Sequence, residues 1–196
     1  MSKELSAEHN DTLKELLNIS MGQAADKLAR LLNLHVTLTV PAIKLVDKSE
    51  LDKIEEMEEA YHFTRQSFYG GMSGELVTLL SKKGGRVIAA EMNQLDAQQA
   101  EDMPSILVDD CLLDISNILS GASLKGLCQQ IELNLKIQPP TIFKPSEQQH
   151  RLSEWKTPIL MEVDFIIEVA EFQTKTIILF ADNGLDQVLV QLDELL

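Results

Sequence analysis

Several things are scarce in this 196-residue sequence. There are two cysteines, four histidines and 5% aromatic residues, and basic residues number 17 against 31 acidic ones. No stretch approaches the roughly 18 consecutive apolar residues that a membrane helix needs. The opening segment MSKELSAEHNDTLKELL is too polar for a secretory leader, so a cytoplasmic location is expected. Cys111 and Cys128 fall in one helical pattern, about 25 Å apart at 1.5 Å of rise per residue, which is beyond disulfide reach. His9, His35, His62 and His150 have no ligand spacing with each other or with cysteine, so no metal of the chain's own is expected. A net charge of −14 repels phosphate backbones and anionic lipid, so neither nucleic acid nor a membrane is an expected partner.

What the sequence does contain is a 44% hydrophobic share, enough for a real core, arranged in an internal repeat. Residues 11–41 align without gaps to residues 110–140 at an offset of 99. Asp11/Asp110, Leu13/Leu112, Asn18/Asn117, Ile19/Ile118, Gly22/Gly121, Leu28/Leu127, Leu34/Leu133 and Pro41/Pro140 are identical pairs. The matched Asp, Asn, Gly and Pro are the informative ones, because leucines recur by chance. Each copy passes from helical period into alternation, with Val36, Leu38 and Val40 in the first and Leu135 and Ile137 in the second.

Beyond each copy a polar stretch, in part a short helix, leads to a hairpin. HFTRQSFY and GELVTLLS flank Tyr69-Gly70-Gly71-Met72; TPILMEVDFIIEVA and TKTIILFA flank a turn placed near Glu171-Phe172. A helical pattern follows each hairpin, RVIAAEMNQL after Gly84-Gly85 and LDQVLVQLDELL after Asn183-Gly184. The fold class is therefore α+β. A mainly antiparallel sheet carries two long helices, in a single domain over 1–196 built of two repeats, about 7–97 and 98–196, related by a pseudo-two-fold axis.

The first long helix, roughly residues 7–33, gathers Leu13, Leu17, Ala24, Leu28 and Leu31 on its core face. Asp11, Glu15 and Asn18 lie within about 60° of one another on the opposite, solvent side. Gly22 continues that line. Glycine within a helix costs about 1 kcal/mol relative to alanine, so close approach by another molecule is the reason it suggests. The second helix repeats the design with Asp110, Asp114, Asn117 and Gly121, against a core set of Leu112, Ile115, Leu119 and Leu127. Core positions recur in a duplicated sequence through packing, whereas matched exposed Asp, Asn and Gly have no packing explanation.

These residues resemble the CheC, CheX and FliY family of chemotaxis phosphatases. Its signature is Asp or Ser, three residues, Glu, two residues, Asn, then 22 residues and Pro. Asp11, Glu15, Asn18 and Pro41 fit throughout; Asp110, Asn117 and Pro140 fit, with Asp114 in place of Glu. Two motifs in one chain look most like a two-site CheC, less like CheX with its single site, and the additional FliN-like domain of FliY is not expected.

The resemblance implies a phosphatase acting on the aspartyl phosphate of a CheY-like response regulator. It has no cofactor of its own, and the Mg²⁺ is expected in the partner. Asn18 and Asn117 would orient the attacking water, Glu15 and Asp114 would reach a lysine of the regulator, and Asp11, Gly22, Asp110 and Gly121 would serve docking. Asp114, one methylene shorter than Glu, makes the second site the weaker in expectation. A non-catalytic binding or scaffold protein for a regulator, or for a CheD-like partner, is the alternative. Pro41, Pro140, Trp155 and Gly70-Gly71 read as structural.

Overall fold

The computed structural model describes residues 5–147, 152, 155–167, 170–181 and 183–196. Helix α1 (Ala7–Leu32) starts where Ser6 accepts a hydrogen bond from the His9 N–H, and it ends at Asn33 in the left-handed conformation. Both are ordinary stop and start chemistry. There follow β1 (Val36–Leu45), α2 (Lys48–Glu55), β2 (Tyr61–Gly70), β3 (Gly74–Ser81), α3 (Lys82–Met92), α4 (Ala97–Glu101) and α5 (Ser105–Ser120). Helix α5 runs through a π-helical segment, Gly121–Gly126, into α6 (Leu127–Gln130). Then come β4 (Leu135–Ile137), β5 (Thr141–Phe143), β6 (Lys156–Ile167), β7 (Ala170–Phe180) and α7 (Gly184–Asp193).

The strands form one sheet in the order β1-β6-β7-β3-β2-β4, with β5 also on β2, and every pairing is antiparallel. Alternation gives the sheet two apolar faces. One bears Leu38, Leu76, Ile178 and Phe180 and is covered by α1, α5 and α7 through Leu17, Leu28, Ile115, Leu119 and Val188. The other presents Phe63, Val77, Leu79, Ile177 and Leu179 to Leu51 and Ile54 of α2. The α+β class of the sequence is the class of the fold, with mixed helix and antiparallel sheet.

Three local expectations are corrected. Leu31 is 42% exposed, and Met21 and Leu32 are buried instead, because the core line runs from Leu28 to i+4. Helix α3 begins at Lys82, capped by Ser81, so Gly84 and Gly85 lie inside it. Gly85 is there for packing: a Cβ on it would stand 3.0 Å from Leu112 on α5. The β6–β7 ladder pairs Ile167 with Ala170, so Glu171 and Phe172 are strand residues of β7 rather than a turn; nothing at Glu171-Phe172 supplies turn chemistry. The polar stretch after β1 holds the short helix expected there, α2, with a capping box between Asp47 and Glu50. His150 lies outside the described residues.

Candidate functional site

The face of α1 is set by the strand beneath it. Thr39 pairs with Asp164 and Ala42 with Glu162, so Val40 and Pro41 together oppose Val163 in a β-bulge. A bulge takes a residue out of the ladder. The Val40 N–H turns to α1 and donates to Asn18 Oδ1 at 2.8 Å, while Asn18 Nδ2 donates to Lys14 O at 2.9 Å and to Val40 O at 3.4 Å. Asn18 is therefore half-buried, with its carboxamide turned toward β1 rather than toward solvent. This corrects the expected solvent-facing row. Asp11 and Glu15 are exposed, as is Gly22.

The second helix meets a differently broken strand. Gln138 N donates to Ser67 O at 2.9 Å, and pairing resumes at Thr141 opposite Arg65. Pro139 and Pro140 thus face Gln66, at the places that Val40 and Pro41 hold in the first half. Pro139 has no N–H. Asn117 is exposed, and its Oδ1 accepts one bond of 3.3 Å from Gln66 Nε2. Its Nδ2 has no acceptor among the described residues. Asp110 and Asp114 are exposed, and Gly121 opens the π-helical segment. A Cβ on Gly22 or on Gly121 would meet nothing within 4 Å, so both positions leave room for an approaching surface.

The two helices touch where Gly126 faces Ser20: a Cβ on Gly126 would lie 2.6 Å from Ser20 Oγ. Gln130 Nε2 ties the crossing by donating to Leu16 O and Ser20 Oγ, both at 2.9 Å. Beside it a groove of about 190 Å³, bordered by Gln23, Lys27, Ile118, Gly121 and Lys125, separates the two faces. Ile19, adjacent to Asn18, is 52% exposed. A larger hollow between α3 and α4, about 530 Å³ with Arg86, Val87 and Leu95 in its wall, contains none of the eight predicted site residues.

The structure thus keeps Asp114 and Asn117 exposed together on α5, whereas on α1 Glu15 is exposed and Asn18 turns its carboxamide to β1. Gln66, Val40 and Pro139 were missed. The signals were a glutamine in line with His62, Thr64 and Phe68 on the side of β2 that faces α5, and the replacement of Val-Pro by Pro-Pro between the copies.

A model of the CheC-like family matches residues 8–45, the α1–β1 unit carrying Asp11, Glu15, Asn18 and Pro41. The flagellar motor switch phosphatase FliY of Bacillus subtilis is 22% identical over 170 residues, covering 86% of this chain and 44% of that protein. The chain therefore spans less than half the length of that curated relative. The crystal structure of Thermotoga maritima FliY superposes with a TM-score of 0.76 at 20% identity, over 97% of this chain and 98% of that one. The CheX–CheY–BeF3–Mg²⁺ complex from Borrelia burgdorferi matches with a TM-score of 0.51 at 14% identity, over 84% and 97%. Helix-bearing antiparallel sheet and motif together define a fold shared with chemotaxis and flagellar-switch proteins. These likenesses all lie with the CheC/CheX/FliY family.

Proposed function

We propose that the protein is a phosphatase that hydrolyses the aspartyl phosphate of a CheY-like response regulator in the cytoplasm. The observation that carries this reading is the same arrangement on two neighbouring helices. In each, an exposed carboxylate precedes an asparagine by three residues, and the glycine beyond leaves the helix surface open. The CheX–CheY complex among its structural neighbours and the phosphatase named among its relatives support the choice of partner and of reaction.

An aspartyl phosphate is already an activated acyl phosphate, held with Mg²⁺ by the regulator that carries it. Catalysis then needs a water aligned for in-line attack and a docked geometry, rather than a nucleophile from the phosphatase. A carboxamide suits the first task, because its oxygen accepts and its NH₂ donates. Glu15 and Asp114 suit the second, as carboxylates that pair with a lysine of the regulator. Asp11 and Asp110 lie a turn earlier, at the edge of the docked surface. No cofactor of the chain's own enters the reaction.

A second reading, non-catalytic docking of a regulator or of a CheD-like protein, is favoured by one feature. Asn18 must give up its bonds to Val40 before its amide can reach a partner, at about 1–3 kcal/mol. Phosphate release from CheY-like regulators charged with acetyl phosphate separates the two readings. Acceleration by the wild type that N18A/N117A loses supports the enzyme. Tight binding without acceleration supports docking alone.

A further inference from the structure

The geometry points to Gln66 as a positioning residue for Asn117: it supplies the hydrogen-bond donor that Pro139 lacks and so presents the asparagine's NH₂ outward. This inference rests on the phosphatase reading for its consequence, though not for its geometry.

The orientation of each amide follows from the one before. Gln66 is 1% exposed on β2, beneath α5. Its Nε2 lies 3.0 Å from Gln138 O and 3.3 Å from Asn117 Oδ1. A main-chain carbonyl only accepts, so Gln138 O fixes which end of Gln66 is the NH₂. The NH₂ in turn fixes Asn117, whose oxygen must face it. Asn117 Nδ2 then points away from the strand, with no acceptor among the described residues. Gln66 Oε1 is left buried without a partner, a cost of about 1–3 kcal/mol that a leucine at this place would avoid. A donor role for Gln66 accounts for accepting that cost.

The first half lacks the device. Its bulge opposes Val163, which has no side-chain donor, and a main-chain N–H holds Asn18 instead. Val40 also accepts from Asn18 through its carbonyl, so both ends of that amide are engaged. Substituting a side-chain donor for a main-chain one changes the outcome: the oxygen is still held, but the NH₂ is released. The second-half asparagine is therefore the one poised to meet a water and a phosphoryl group, although its carboxylate is the shorter Asp114.

The test uses the full chain with Gln66→Leu and Gln66→Met, both close in volume and neither a donor, beside Asn117→Ala. Two readouts are taken: the Asn117 side-chain NH₂ signals in ¹H–¹⁵N spectra, assigned by their loss in N117A, and steady-state phosphate release from a phosphorylated CheY-like regulator. Both Gln66 variants are expected to shift the Asn117 pair while α1 amides stay in place, and to lower kcat about tenfold with KM within about twofold of wild type. Unmoved Asn117 signals in either folded variant overturn the positioning role. So does an unchanged kcat where N117A lowers it. A wild type that releases no phosphate defeats the phosphatase reading, and the NH₂ signals alone then decide whether Gln66 orients Asn117.

Discussion

Asn18 and Asn117 occupy the same place in two helices of matching sequence, each over a strand interrupted opposite one residue of the neighbouring strand. In the first half the interruption is Val40-Pro41 and the asparagine is drawn into it by main-chain bonds at both ends. In the second it is Pro139-Pro140, and the asparagine stays exposed, its side chain hydrogen-bonded, among the described residues, to Gln66 alone. The helices differ in the same sense. Helix α1 passes Gly22 as regular α-helix, whereas α5 widens into a π-helical segment at Gly121. Such segments cost regular helical bonding and recur at functional sites. A duplicated motif can thus keep its residues while one copy becomes a clamp within the fold and the other a presented group.

The largest effect that would break this comparison is on activity. Asn117→Ala is expected to lower phosphate release about 100-fold, and Asn18→Ala less than tenfold. Single-turnover assays on one regulator rank them, and a larger loss for N18A would invert the assignment of clamp and presented group.

Next in size is the helix crossing that holds the two faces together. Gly126→Ala would press a Cβ onto Ser20 and should cost about 1–3 kcal/mol, read as a lower urea midpoint. Gly22→Ala, where nothing lies within 4 Å, should instead stabilise the free chain by about 0.5–1 kcal/mol while weakening regulator binding. Equal responses at the two glycines would remove the distinction between a packed and an open position.

The asparagines should also differ in stability. Asn18→Ala strips the Val40 N–H and carbonyl of their partner and should cost about 1–3 kcal/mol, and Asn117→Ala less than about 0.5 kcal/mol. Chemical denaturation of both variants tests this directly.

The smallest effect concerns His62 on β2, beside Thr64 and Ser116 under α5. Burial pushes its imidazole pKa down, against the opposing pull of Asp109. The unfolded chain takes up a proton near the ordinary value of about 6.5 while the fold refuses it until lower pH. The neutral ring therefore supports the fold fully above that value, and the support is lost as pH falls through the depressed one. The melting temperature should drop between about pH 7.5 and 5.5 by more in wild type than in His62→Gln; identical drops would assign the pH dependence elsewhere.

Much of this was legible in the sequence because it is local. The period of Leu13, Leu17, Ala24 and Leu28 places α1 on the sheet, and the 99-residue offset places Asp114 and Asn117 beside Glu15 and Asn18 in kind. The orientation of the amides was not legible. It depends on which residue faces a bulge, and that is a matter of register between strands: Gln66 is 51 positions from Asn117, and Val163 far from Asn18. Helix period alone put Asn18 on the solvent side, because it describes where Cβ points and not whether an idle N–H on a neighbouring strand will draw the amide in. Gly84 and Gly85 misled for a similar reason. They read as punctuation, but Gly85 answers to Leu112 on a helix distant in sequence.

The prolines at the two interruptions have one more consequence, for self-association. Strands β1, β4 and β5 form the two margins of the sheet, and each margin carries a proline pair or bulge near its middle. A strand arriving from another copy would find an uneven row of donors and a kinked path, which disfavours growth of the sheet from either side. Broken margins of this kind protect a sheet of seven strands from stacking edge to edge with its own copies.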